Sequence, residues 1–142
     1  MLGPDDRLLI GTDLVKDSER LEAAYNDTAG VTAEFNRNVL RVLNARLGAD
    51  FDPDRFQHVA FFDLDNEWIE MRLRARKTHR VAIPGCGGLR VPFEAGEEMR
   101  TEISAKFRRP TVEAELGEVG LELVEWWTDA AGDFALSLSI AR

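Results

Sequence analysis

Glu102 and Ser104 lie two positions apart in an alternating run, residues 98–107, and they are the side chains best placed to recognise a ligand. In a β-strand, side chains alternate between the two faces, so a carboxylate and a hydroxyl at this spacing share one surface. Together they could accept a hydrogen bond from one nitrogen of a small heteroaromatic ring and exchange one with another nitrogen. The same spacing fits the solvated face of an antiparallel strand that also carries Arg100 and Lys106. The spacing alone leaves both interpretations open.

The overall composition favours a single soluble domain. The 142 residues are 44% hydrophobic and 31% charged, which is enough apolar material for one core. With 18 basic and 26 acidic residues, the net charge of −8 provides no general basic surface for a nucleic acid. No apolar run approaches the roughly 20 residues that cross a bilayer, and no signal region follows Met1. We therefore expect a cytoplasmic protein with a small molecule or another protein as its partner, and neither nucleic acid nor membrane.

The cysteine and the two histidines suggest no metal site. Cys86 lies in the glycine-rich run of residues 85–88, which is typical of a turn, so we interpret it as a loop residue. His58 and His79 are 21 positions apart and have no carboxylate or cysteine at a recognised metal-ligand spacing. Both are interpreted as ordinary histidines.

Hydrophobic periodicity predicts a strand and two helices in the first third of the chain. Residues 7–13 read as a short, buried parallel strand that ends in polar side chains. A helix capped by Asp17 or Ser18 runs to about Tyr25. A longer helix follows, ends near Gly48 and carries an apolar stripe that is predicted to face the core. The members of this stripe are Val31, Phe35, Val39, Leu40, Val42, Leu43 and Leu47.

From residue 58 the hydrophobic period changes to two, which predicts an antiparallel meander. A helix opened by Pro110 and a terminal β-hairpin complete the chain. The strands of the meander are predicted at residues 58–62, 68–75, 80–83, 89–93 and 98–107, the helix at 111–118, and the hairpin at 121–128 and 134–141. A dinucleotide or adenosyl cofactor needs a glycine-rich turn between a strand and a helix, and no such unit is visible.

An ordered series of short motifs along the whole chain resembles the histidine-specific, S-adenosylmethionine-dependent methyltransferases of ergothioneine biosynthesis, the L-histidine Nα-methyltransferases. These motifs lie at residues 11–17, 24–27, 29–33, 35–38, 69–71, 96–99, 101–102 with 104, 106–107, 126–129 and 132–134. The resemblance corresponds only to the carboxyl-terminal part of such an enzyme.

The resemblance implies an α/β fold that would be α+β in isolation. It would be the carboxyl-terminal part of a class I Rossmann-type methyltransferase with a helical plus antiparallel-sheet substrate-binding insertion. Residues 1–13 would then be a strand of the methyltransferase sheet, residues 14–107 the insertion, and residues 108–142 the terminal helix and hairpin of that sheet.

Four positions carry over from the family as substrate-binding residues. Glu102 and Ser104 match the residues that hold the imidazole, Tyr25 matches a tyrosine that binds the substrate carboxylate, and Met71 matches a methionine that lines the ring pocket. From the residues alone, Tyr25 could equally anchor a helix end and Met71 could be a core residue. Asp13 could bind a ligand or cap the next helix, and we leave it out of the site.

The implied reaction is three methyl transfers from S-adenosylmethionine to the α-amine of L-histidine. Catalysis would come from orientation and proximity, so no residue of this chain is assigned a catalytic role. The cofactor site would lie in the absent amino-terminal part, and a complementary methyltransferase domain would be the protein partner. The alternatives are a stand-alone histidine-binding or interaction module without methyltransferase activity, and a non-functional remnant.

Overall fold

A computed structural model describes residue 3 and residues 5–142. The predicted segment 1–13 thus includes three residues, 1, 2 and 4, that lie outside the described residues. The chain is a mixture of helices and antiparallel sheets, as expected for the isolated chain. The helices are α1 (Ser18–Tyr25), α2 (Val31–Leu47) and α3 (Arg109–Glu118). The strands are β1 (Arg7–Asp13), β2 (Phe56–Asp63), β3 (Trp68–Ala75), β4 (His79–Ile83), β5 (Leu89–Phe93), β6 (Glu98–Ala105), β7 (Leu121–Thr128) and β8 (Phe134–Ala141).

The chain forms two compact units. The terminal unit comprises the described residues up to residue 17 together with residues 64–68 and 105–142, and the central unit comprises residues 18–63 and 69–104. Within the described residues, no helix is both long and apolar enough to cross a bilayer.

The terminal unit contains a three-stranded sheet in the order β1-β8-β7, and α3 packs against β7. Strand β8 is antiparallel to both neighbours, so the predicted terminal hairpin is confirmed. The expectation of a buried parallel strand at residues 7–13 is wrong for the described chain, because β1 pairs antiparallel with β8 and Leu9 is 59% exposed. An apolar run indicates a strand, but it does not identify the neighbours of that strand.

The central unit has a three-stranded sheet in the order β2-β3-β6 and a separate antiparallel hairpin, β4-β5. The predicted simple meander is therefore wrong in its pairing, since β6 lies beside β3 and not beside β5. A period of two predicts that residues form strands, whereas the packing of side chains selects the partners. The core of this unit consists of Leu40, Phe51, Phe56, Leu73, Ala75, Val81, Ile83 and Phe93.

Helix α2 has its predicted length and ends at Gly48, which has a φ of 63°. The buried face of α2 differs from the prediction. Asn36 and Leu40 are buried, and Leu43 and Leu47 pack against the core. The remaining members of the predicted stripe, Val31, Phe35, Val39 and Val42, are exposed. Helical periodicity identified the apolar positions, but it did not determine which of two adjacent apolar rows faces the core.

The glycine-rich run of residues 85–88 joins β4 to β5, as the sequence predicted. Cys86 is exposed there and is not in a disulfide. Gly85 is required by close packing, because a Cβ atom at this position would lie 2.7 Å from the carbonyl oxygen of Leu47.

Candidate functional site

Tyr25 and Ser104 are in direct contact in the central unit. The Tyr25 hydroxyl donates a hydrogen bond to Ser104 Oγ at 2.8 Å, although the two residues are 79 positions apart in the chain. Tyr25 is the last residue of α1, and Ser104 lies near the end of β6. Both are partly buried. The fold therefore joins two of the four residues that the family resemblance selected.

Glu102, the third of these residues, lines a cavity of about 230 Å³ in the central unit. The cavity lies between β6 and α2, and its other lining residues are Phe35, Asn36, Asn38, Val39 and Thr101. Two of them, Phe35 and Val39, belong to the exposed apolar row of α2. The cavity thus has an exposed carboxylate, which can accept a hydrogen bond from a ring N–H group. It also has apolar walls, which can pack against the face of a ring.

Met71, the fourth residue, is buried, with only 2% of its surface exposed. It is not among the residues that line the cavity with Glu102. Its backbone carbonyl oxygen lies 2.9 Å from the Thr101 hydroxyl oxygen. Met71 is therefore connected to the cavity through its backbone and through Thr101.

Sequence reasoning missed a polar network behind this cavity. Asn36 is buried, and its amide oxygen accepts a hydrogen bond from the Thr101 hydroxyl at 2.6 Å. The Asn36 amide nitrogen lies 2.9 Å from His58 Nδ1 and 3.1 Å from the carbonyl oxygen of Arg72. The sequence contained one signal: Asn36 is four positions before Leu40, in the row of α2 that faces the core. A buried amide at such a position must find partners.

The interpretation of residues 100–106 as one solvated strand face fits Arg100, whose side chain is 55% exposed, and is wrong for Lys106. Arg100 forms an ion pair with Glu70, whose side chain is only 5% exposed. Lys106 is buried in the terminal unit and binds the Asp13 carboxylate at 2.9 Å. Alternation predicts which side chains share a direction, whereas the surrounding charges determine whether that direction is solvated.

Charged side chains are densely paired along β3 and β6. Glu98 accepts hydrogen bonds from Arg72 and Arg74, which lower the pKa of the Glu98 carboxyl group. The hydrogen bonds that Arg72 donates to Glu98 and Glu70 in turn raise the pKa of Arg72 above its ordinary value. The Arg72 guanidinium also lies 4.9 Å from the centre of the Phe61 ring. These bonds hold β3 and β6 together next to the residues that line the cavity.

Asp13 is an ion-paired residue of the terminal unit. Its carboxylate binds Lys16 at 2.6 Å and Lys106 at 2.9 Å. Partial burial by itself would raise the pKa of Asp13, but the hydrogen bonds from Lys16 and Lys106 outweigh it and keep this pKa below its ordinary value. The Asp13 carbonyl oxygen also accepts a hydrogen bond from the Phe107 amide. These contacts give Asp13 a role in joining β1 to the chain that follows β6.

The described residues do not fit an adenosyl cofactor. The connection from β1 to α1, residues 14–17, contains no glycine, and the glycine-rich residues 85–88 join two strands. Neither segment presents the backbone amides of a glycine-rich turn at the start of a helix, as such cofactors require. Among the described residues there is also no cluster of three or more His, Cys, Asp or Glu side chains that could hold a metal ion.

Comparison with known proteins identifies the family. The family model for histidine-specific, S-adenosylmethionine-dependent methyltransferases matches residues 1–141. The chain belongs to this family. Its resemblance to the family, which the motifs of the sequence indicated, is thus confirmed over nearly the whole chain.

Three relatives show how much of the family's length this chain represents. It is 59% identical over 139 residues to the histidine N-alpha-methyltransferase of Mycolicibacterium smegmatis and 58% identical to that of Mycobacterium tuberculosis. Each match covers 98% of this chain but 43% of the relative. It is 29% identical to ergothioneine biosynthesis protein 1 of Neurospora crassa, over 90% of this chain and 14% of that protein. The chain therefore spans less than half the length of the relatives it matches.

Proposed function

We propose that this chain is the carboxyl-terminal part of an L-histidine Nα-methyltransferase and that it is inactive alone. The complete enzyme would trimethylate the α-amine of histidine with S-adenosylmethionine in ergothioneine biosynthesis. The observation that carries the proposal is the Tyr25–Ser104 hydrogen bond, which lies two residues along β6 from Glu102 and its cavity. These are the residues that the family resemblance assigns to substrate binding.

The hydrogen bonds of the site are suited to a neutral imidazole. When Tyr25 donates the proton of its bond with Ser104, the Ser104 hydroxyl can donate its own proton to the unprotonated ring nitrogen. Glu102 accepts the N–H of the other ring nitrogen. Tyr25 can bind the substrate carboxylate when its hydroxyl turns from Ser104 to that stronger acceptor. Met71 would limit the depth of the ring pocket.

The missing part of the enzyme would complete the sheet of the terminal unit. Ala135, Ser137 and Ser139, which alternate along β8, are buried, while Phe134 and Leu136 on the opposite face of the strand are more than 40% exposed. Rossmann-type sheets are covered by helices on both faces. We propose that the amino-terminal domain covers this apolar face, pairs with the second edge of β1 and contributes the S-adenosylmethionine site. The central unit supports the proposed insertion at residues 14–107, since it is compact by itself.

Complementation tests this proposal. The 142-residue chain is mixed with the amino-terminal part of the Mycolicibacterium smegmatis relative, histidine and S-adenosylmethionine, and methylated histidine is measured by mass spectrometry. We expect product from the mixture and none from either part alone. Product from this chain alone would refute the proposal, as would no product from a mixture in which both parts are folded.

Two variants of the same mixture test the site. Glu102→Ala should weaken histidine binding by at least about tenfold, because a hydrogen bond to a charged group contributes about 1.5–3 kcal/mol. Asp54→Ala, which removes an exposed carboxylate of the central unit, is the matched control and should leave binding unchanged. An equal effect of both variants would contradict the assigned role of Glu102.

A second candidate function is a stand-alone histidine-binding module. It is favoured because Tyr25, Ser104 and Glu102 all lie in one compact unit. Calorimetric titration of the isolated chain with L-histidine distinguishes the two functions. Micromolar binding without the amino-terminal part would support the module, whereas binding only in the mixture would support the divided enzyme.

A further inference from the structure

His58 joins the two parts of the proposed substrate site. We propose that it is a positioning residue for histidine recognition, an inference that rests on the proposed function. It lies on β2, where one ring nitrogen contacts the carbonyl oxygen of Tyr25 and the other contacts the side chain of Asn36. These two contacts of the ring carry the inference, because neither the exposure of His58 nor its position in the sequence indicates a special role.

The protonation of the His58 ring follows from two carbonyl groups. The Arg72 carbonyl oxygen can only accept a hydrogen bond, so the Asn36 atom 3.1 Å from it must be the amide nitrogen. The same nitrogen lies 2.9 Å from His58 Nδ1, which must therefore accept. The Tyr25 carbonyl oxygen lies 2.9 Å from Nε2, which must donate. The ring is thus neutral, with its proton on Nε2.

Each neighbour of His58 leads to a residue of the proposed site. Tyr25, whose carbonyl His58 holds, donates its hydroxyl proton to Ser104. Asn36, whose amide His58 accepts, binds the hydroxyl of Thr101, the residue before Glu102. One imidazole therefore fixes the end of α1 relative to the part of α2 that lines the cavity. Loss of the bond to the Tyr25 carbonyl should displace the end of α1, whereas Asn36 is still held by Thr101 and the Arg72 carbonyl when its bond to His58 is lost.

Two substitutions separate these bonds. His58→Gln can keep a donor to the Tyr25 carbonyl, and His58→Asn can keep an acceptor for Asn36, while each removes the ring. We expect the Gln variant to bind histidine within about threefold of the parent chain and the Asn variant to bind about tenfold more weakly, in line with the loss of a single hydrogen bond. Both are measured by calorimetry in the mixture with the amino-terminal part, and thermal unfolding shows whether each is folded.

A second matched pair keeps the test valid if either His58 variant fails to fold. Thr101→Ser retains the hydroxyl that binds Asn36, whereas Thr101→Val removes it with little change of shape. We expect Thr101→Val alone to weaken histidine binding. Equal effects within each pair would indicate that these residues only fill space and would overturn the proposal.

Nuclear magnetic resonance of the 142-residue chain tests the positioning without substrate. Long-range ¹H–¹⁵N spectra should show a protonated Nε2 and an unprotonated Nδ1 in His58, and a proton on Nδ1 would overturn the proposal. His58→Asn should shift the amide signals of Tyr25 and Ser104 more than His58→Gln does. If the spectra agree but no mixture methylates histidine, the proposed function fails and the positioning stands. If methylation occurs but the two variants are equivalent, the positioning fails alone.

Discussion

The two units of this chain bury apolar surface in different ways. In the central unit, aromatic rings pack edge to face, with the centres of Phe56 and Phe93 5.2 Å apart. In the terminal unit, one face of the sheet exposes large side chains, including Leu9, Trp127 and Leu136. The central unit therefore resembles a domain with its own core, whereas the terminal unit resembles one layer of a larger sandwich.

Buried polar atoms show a similar difference. Asn36 in the central unit uses both its amide groups in hydrogen bonds. Among the described residues of the whole chain, three buried side-chain polar atoms have no hydrogen-bond partner. Two of them, Thr12 Oγ1 and Ser139 Oγ, belong to the sheet of the terminal unit. The third, His79 Nε2, is in the central unit, where its ring stacks on Phe93. Among the described residues, the buried polar atoms without a partner therefore lie mainly in the sheet of the terminal unit.

The largest expected effect is on the association of the terminal unit with the amino-terminal part. Leu136→Glu places a charge on the exposed apolar face, and burying an unpaired charge costs several kcal/mol. We expect at least about a hundredfold loss of association, measured by analytical ultracentrifugation of the mixture. The free energy of unfolding of the isolated chain should change by less than about 0.5 kcal/mol, because the side chain at position 136 is exposed in it.

Leu64→Glu is the matched control for that experiment. Leu64 is 74% exposed in the turn between β2 and β3, outside the strands of the terminal sheet. It should leave association unchanged. Equal losses for both variants would show that net charge, and not the sheet face, controls association. Undiminished association of Leu136→Glu would contradict the comparison of the two units.

The second expected effect is on the core of the central unit. Phe56 is fully buried, so Phe56→Ala should lower the free energy of unfolding by about 3–5 kcal/mol. All three tryptophans lie in the terminal unit, so their fluorescence reports that unit, while circular dichroism reports the whole chain. We expect the dichroism midpoint in urea to fall more than the fluorescence midpoint. Coincident falls would show that the two units unfold together.

A smaller effect should follow from adding a methyl group to a glycine in each unit. Gly85→Ala would place its Cβ 2.7 Å from the Leu47 carbonyl oxygen and should destabilise the central unit by about 1–3 kcal/mol. Gly117 lies in α3 with open space around its Cβ position. Gly117→Ala should therefore stabilise the terminal unit by about 0.5–1 kcal/mol. Thermal midpoints measure both effects, and shifts of the same sign would contradict this difference.

The smallest effect should appear on acidification. The pKa of Asp13 in the terminal unit and that of Glu98 in the central unit are both below their ordinary values. A lowered carboxyl pKa stabilises the folded state above the unfolded pKa, and the contribution is lost as pH falls through the folded value. We expect both units to lose stability below about pH 4, the ordinary carboxyl range. Asp13→Asn should flatten this decline for the fluorescence of the terminal unit alone, as urea titrations at several pH values can show.

The sequence predicted the local structure well and the pairing less well. The ends of α1 and α2 follow from Ser18, Tyr25 and Gly48, because capping and glycine conformation depend on nearby residues. The pairing of β1 and β6 depended on side chains far along the chain, and the predictions of a parallel β1 and of a simple meander that includes β6 were both wrong. The prediction of which apolar row of α2 faces the core was wrong for the same reason, since Phe35 and Leu40 are equally apolar in the sequence.

The sequence by itself determined the family, and its resemblance to that family predicted four residues for histidine binding. A resemblance over residues 1–141 requires only the order of the motifs, so no fold was needed to find it. Only the tertiary structure brought Tyr25 to Ser104 across 79 positions and placed His58 behind them. Such contacts depend on how helices and strands pack, and packing is selected by the whole core rather than by the residues nearest in the chain.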